Sequence, residues 1–203
     1  STLLILYSNI YRPDAGLYHL PYIQVIQENK ILLGITNLHF RFGHISILQY
    51  LSAIYNNSLM PIETITLPSS IIVSGFYVYL LSFYDEKFKF LELKIFVIII
   101  TIYTFYSFNR YSNFGNDAIS HLFIFLFLIR ILQINFELKR VNDLGNLAII
   151  STFAFMQKVF MIFLPIICII IFIKFFIKKN IFKNFKIFFS ISFIFIWLIK
   201  NIF

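Results

Sequence analysis

Two polar stretches near the start of the chain carry the residue types that chemistry needs. The stretch from Tyr11 to Pro21 holds Asp14, Tyr18 and His19, and the stretch from Asn37 to His44 holds His39, Arg41 and His44. A carboxylate placed near an attacking hydroxyl can take its proton. A guanidinium can hold a phosphate through paired N–H donors. Pro13 suits the first position of a helical turn, which would set Asp14 and Tyr18 one turn apart on a shared face. In that position Asp14 would serve equally well as a helix cap. The alternation of polar and apolar residues from Asn37 to His44 predicts one polar edge laid against a ligand or a membrane surface. Arg41 would equally reach lipid phosphate by snorkelling.

Two further groups are chemically equipped. In the segment from Asn109 to His121, Arg110 is a candidate phosphate ligand, and Asp117 and His121 stand one turn apart on an entering helix. Asp117 would also answer the dipole at that helix N-terminus, and Arg110 would also suit an interface. Lys158 lies in the run Phe153–Ile162, with no carboxylate close by in sequence. A charge in such surroundings marks function by default, unless the ammonium snorkels to headgroups. Arg130, inside an apolar run, is a similar case. His39 and His44 do not have the spacing of a recognised ligand pair and no cysteine accompanies them, so no zinc site is assigned. Phosphate-binding loops, dinucleotide fingerprints, zinc-protease motifs and nucleophile elbows are not found in the sequence.

The elements that must position these residues are membrane helices. Of 203 residues, 60% are hydrophobic and 13% charged, far from the roughly half apolar and quarter charged make-up of soluble domains. The mean hydropathy is +0.85, and the reading is an all-α integral membrane protein. The formal charge of +8 is no sign of nucleic acid, because the lysines cluster between apolar runs. The single cysteine, Cys168, lies within an apolar run.

Candidate spans are residues 62–84, 93–108, 118–136, 144–157, 159–177 and 187–199. Residues 45–55 form a shorter interfacial or re-entrant helix. Lys87, Lys89, Lys94, Lys139, Arg140, Lys174, Lys178, Lys179, Lys183 and Lys186 fall in alternate loops, which places those loops in the cytoplasm. The polar stretches then share the outer face, where Lys158 would meet the same cavity as Asp14 and Asp117. The chain opens in an apolar run and closes on Ile199–Phe203, which reads as a piece of a longer protein. On that reading residues 1–8 end a truncated first helix, residues 9–61 form an outer loop with short interfacial helices, and residues 62–203 hold about six spans in one transmembrane domain.

The run Asp14–Gln24, the run Gly34–His44 and the run Ser46–Ala53 together resemble bacterial multi-pass proteins. Their first outer loop carries an Asp-x-Gly-x-Tyr-His segment and an Asn-Leu-His-x-Arg-x-Gly segment. Those proteins are similar to the GT-C glycosyltransferases, which include protein mannosyltransferases and aminoarabinose transferases. The resemblance implies a GT-C-like bundle in a bacterial inner membrane, with its site facing the periplasm. It implies transfer of a sugar from a polyprenyl-phosphate donor to a glycan, lipid or protein acceptor, with Asp14 as general base. It further implies a second carboxylate role for Asp117, which would orient the acceptor or bind a divalent cation where one is used. Substrate contacts would come from Tyr18, His19, His39, Arg41, Arg110, His121 and Lys158. The acidic pair usual in that first loop is not present, since Glu28 lies too far along. A glycan polymerase or ligase would use Arg41, His39 and Arg110 instead. A transporter would place charges deep in several spans, and a structural subunit would tolerate loss of Asp14.

Overall fold

The structure is a computed structural model. It describes residues 13, 15–29, 34–43, 46–55, 65–84, 90–108, 115–137, 141–176 and 185–202. Every regular element among these residues is helical, and no strand occurs among them. Isoleucine and phenylalanine favour strands in isolation. Long apolar runs override that preference, because a helix pairs its backbone donors and acceptors within itself.

In chain order the α-helices are α1 (Leu20–Glu28), α2 (Ile47–Tyr55), α3 (Leu67–Leu81), α4 (Leu91–Tyr106), α5 (Asn116–Glu137), α6 (Val141–Gln157), α7 (Phe163–Phe176) and α8 (Phe185–Ile202). Contacts divide the chain into two compact units, Ser1–Leu122 and Phe123–Phe203.

In the first unit α1 lies against α2, α2 packs on α3, and α3 on α4. Gln27 Nε2 donates to the Ala53 carbonyl at 3.1 Å, and Ser52 Oγ donates to the Ile65 carbonyl at 2.9 Å. These bonds fasten α2 to its neighbours on both sides. Ala15, Ile23 and Ile65 form a small core, flanked by Leu20 and Ala53. α4 buries Leu93, Val97, Ile100 and Thr104 at helical spacing and leaves Ile95, Ile98, Ile99 and Ile102 exposed. Apolar residues therefore cover all sides of α4, although packing covers only one stripe.

In the second unit α6 packs on both α7 and α8. Phe127, Leu144, Leu147, Ala154, Leu164 and Cys168 belong to its core. Lys186 Nζ on α8 donates to Asn146 Oδ1 on α6 at 2.6 Å, so a lysine between apolar residues meets an amide. Ile166, Ile169, Ile170 and Ile173 of α7 remain exposed, as do Phe188, Ile191, Phe195 and Ile196 of α8.

Each candidate span coincides with a helix, with shifted ends. Leu67–Tyr84 and Asp117–Ile134 are long and apolar enough to cross a membrane, and Val159–Ile173 and Lys186–Ile199 are shorter apolar helices. The short helix expected at 45–55 is α2. The break expected at Lys158 is present: α6 ends at Gln157, and Lys158 takes an extended backbone before a 3-10 turn, Val159–Ile162. The backbone of the stretch from Asn37 to Gly43 is coiled. It folds through two 3-10 turns, Ile35–Asn37 and Phe40–Gly43, preceded by Gly34 in the left-handed region at φ 73°. This coiling buries Phe42 and exposes Phe40. The lysines and arginine that set the expected orientation at 87, 89, 139, 140, 178, 179 and 183 lie outside the described residues.

Leu147 is fully buried and Ile169 is 54% exposed. Leu147→Ala should therefore lower unfolding stability by about 2–5 kcal/mol, while Ile169→Ala should stay within about 0.5 kcal/mol. Equilibrium unfolding of the purified chain checks this, and equal losses would refute the assignment of the core.

Candidate functional site

The polar stretches ahead of α2 converge around α1 and α2. The first enters α1 through a π-helical turn, Ala15–His19. Pro21 sits in the first turn of α1 and brings no N–H to the ladder, so a regular α register loses a donor there. Wide turns of this kind occur frequently at functional positions. Within this turn Tyr18 is half-buried and His19 is buried, with ring centroids 4.2 Å apart.

The second stretch supplies the cation. The Arg41 guanidinium lies 4.8 Å from the centroid of the Tyr18 ring and 5.7 Å from that of Phe40. Such a cation–aromatic contact is worth about 0.5–1 kcal/mol at an exposed site. The Arg41 backbone N–H donates to His39 Nδ1 at 3.2 Å. His39 stacks on Phe40 at 5.2 Å and lies 5.3 Å from Phe42. Beneath them Tyr22 contacts Phe42 at 5.4 Å and meets the Tyr50 hydroxyl at 3.2 Å. Burial pushes the Tyr22 phenol up to about 12.

The third stretch locks the floor of the cluster. Ser46 Oγ accepts the Leu48 N–H at 3.1 Å, and Gln49 Oε1 accepts the Ser46 N–H at 3.0 Å. Together they form a capping box at the start of α2. The other end of the Gln49 amide, Nε2, lies 3.0 Å from His19 Nδ1.

Of the predicted residues, Tyr18, His19, His39 and Arg41 are thus brought together. Asp14, Arg110 and His44 lie outside the described residues. Asp117 is exposed and His121 half-buried on the first turns of α5. Lys158 is half-buried and belongs to the second unit. Arg130, also in that unit, donates to Gln133 Oε1 at 3.0 Å. Gln49, Tyr22 and Tyr50 were not among the predicted residues. The Ser46-x-x-Gln49 spacing before an apolar run was the available signal for Gln49; the pairing of Tyr22 with Tyr50 depends on how α1 crosses α2. No group of three or more His, Cys, Asp or Glu that could hold a metal ion occurs among the described residues.

The cluster offers an exposed guanidinium on an aromatic platform, with imidazoles beside it. Such a surface can bind an oxyanion by charge and by directed N–H donors. Comparison with known proteins adds a family: a model described as "Domain of unknown function (DUF8201)" matches residues 1–203. No curated protein and no solved structure matches the chain.

Two outcomes follow from the geometry. Gly34 occupies the left-handed region, where a Cβ would also come within 3.2 Å of Asn37 Nδ2. Gly34→Ala should cost about 1–2 kcal/mol and reduce protection of the Arg41 region in hydrogen exchange; unchanged protection and stability would count against the turn. Tyr22 stays neutral until about pH 12, whereas an unfolded tyrosine ionises near 10.0. The stability gained from its burial is therefore full below pH 10 and drains away as the pH rises toward 12. Tyr22→Phe should be less stable than wild type by about 1 kcal/mol at pH 9, through loss of the Tyr50 bond. Melts at pH 9 and pH 11 should show that gap narrowing, and a constant gap would contradict the assignment.

Proposed function

We propose that this chain, which belongs to the DUF8201 family, is a membrane glycosyltransferase that uses a polyprenyl-phosphate-linked sugar donor. The carrying observation is the seating of Arg41 over Tyr18, with His39 beside it and His19 at the Tyr18 ring, immediately after position 14 in the chain. The two motif segments behind the family resemblance thereby meet in one anion-binding cluster. The uncovered apolar faces of α4, α7 and α8 support a lipid setting, because exposed patches of this kind mark membrane or partner contact.

In this reading Asp14 takes the proton of the acceptor hydroxyl as its oxygen attacks the anomeric carbon. The bond from that carbon to the phosphate oxygen breaks, and the electron pair leaves with the phosphate. Arg41 offsets the charge that develops there. Asp117 and His121 orient the acceptor. The reaction is placed at the outer face of a bacterial cytoplasmic membrane, on a glycan, lipid or protein acceptor.

The test compares surface glycans and polyprenyl-linked sugars in cells carrying wild type, Asp14→Asn or Arg41→Gln, at matched membrane levels. Transfer should fall by about 10²-fold or more in each, with the lipid-linked donor accumulating. Unchanged glycans at normal protein levels would exclude sugar transfer through this cluster.

A further inference from the structure

We infer that Gln49 sets the tautomer of His19, holding the ring neutral with its proton on Nε2, so that His19 acts as a hydrogen-bond donor and not as a base. The argument starts at the cap of α2. The Ser46 N–H is a donor and lies 3.0 Å from one end of the Gln49 amide. That end must therefore be the carbonyl oxygen, since an NH₂ group there would set donor against donor. The opposite end is then the NH₂, and it lies 3.0 Å from His19 Nδ1. A donor at that distance needs a lone pair, so Nδ1 carries no proton. A neutral imidazole with a bare Nδ1 carries its proton on Nε2. An imidazolium would again oppose two donors. Both side chains are buried, His19 at 5% and Gln49 at 3% exposed, so water competes poorly for the pair.

The chemical consequence lies in proton transfer. A ring protonated on Nε2, with its Nδ1 lone pair taken by Gln49, cannot accept the proton of an attacking hydroxyl. That such a hydroxyl belongs to a sugar acceptor rests on the glycosyl-transfer reading. The tautomer does not.

The experiment is a long-range ¹H–¹⁵N correlation spectrum of the full chain, labelled at histidine nitrogen and held in lipid nanodiscs. His19 is identified by the signals lost in His19→Gln. In wild type, Nδ1 should appear unprotonated and Nε2 protonated. Gln49→Glu should keep the helix cap, because a carboxylate still accepts the Ser46 N–H. Its other oxygen can only accept, so His19 Nδ1 should gain a proton. A wild-type spectrum with Nδ1 protonated, or a Gln49→Glu spectrum identical to wild type, would overturn the assignment. The wild-type spectrum decides by itself if that variant does not accumulate. Failure of the sugar-transfer reading would show in the Asp14→Asn glycans and leave the spectrum unchanged, so the two can fail separately.

Discussion

A buried polar group must find a partner inside the protein, and in this chain the Gln49 amide shows how much structure that requirement can organise. One end closes the cap of α2 on Ser46, and the other reaches His19 in the turn before α1. Removing either partner would strand a buried donor or acceptor, which costs about 1–3 kcal/mol. The amide therefore fixes where α2 starts, how it meets α1, and which way the His19 ring faces. Ser52 extends the same logic by tying α2 to the backbone that leads into α3.

The apolar helices obey this requirement by a simpler route. Thr101 donates to Val97, Ser151 and Thr152 donate to Ala148, and Ser190 donates to Lys186, in each case to a carbonyl of the same helix. Hydroxyls placed in this way need no neighbouring helix and can sit in long apolar segments at little cost. Lys186 differs, since its ammonium reaches the Asn146 amide on another helix of the unit. Thr101, Ser151, Thr152 and Ser190 are thus bonded within their own helices, while Gln27, Ser52, Lys186 and the Tyr22–Tyr50 hydroxyl pair make polar contacts to neighbouring segments.

The polar layer around α1 and α2 carries its charge differently. Arg41 is exposed and lies over the Tyr18 ring and near that of Phe40, an attraction between a cation and aromatic faces. The 3-10 turns from Ile35 to Gly43 make this geometry. Gly34, in the left-handed region, precedes them, a backbone state that glycine adopts at little cost.

Composition and hydrophobic run length were enough to specify the helical make-up of the described residues, the approximate extent of each apolar helix, and the break at Lys158. Those properties are local, set by backbone pairing and by side chains within a few turns of one another. The residue types of the candidate cluster were equally legible, since Tyr18, His19, His39 and Arg41 stand out against an apolar background. Their meeting was not legible, because it depends on α1 crossing α2 and on the coil that follows Gly34. The role of Gln49 lay between these cases. Its spacing from Ser46 signalled a helix cap, and only the packing of α1 on α2 brought its second hydrogen-bonding end to His19, because a side chain with two opposed hydrogen-bonding ends takes its second partner from tertiary structure.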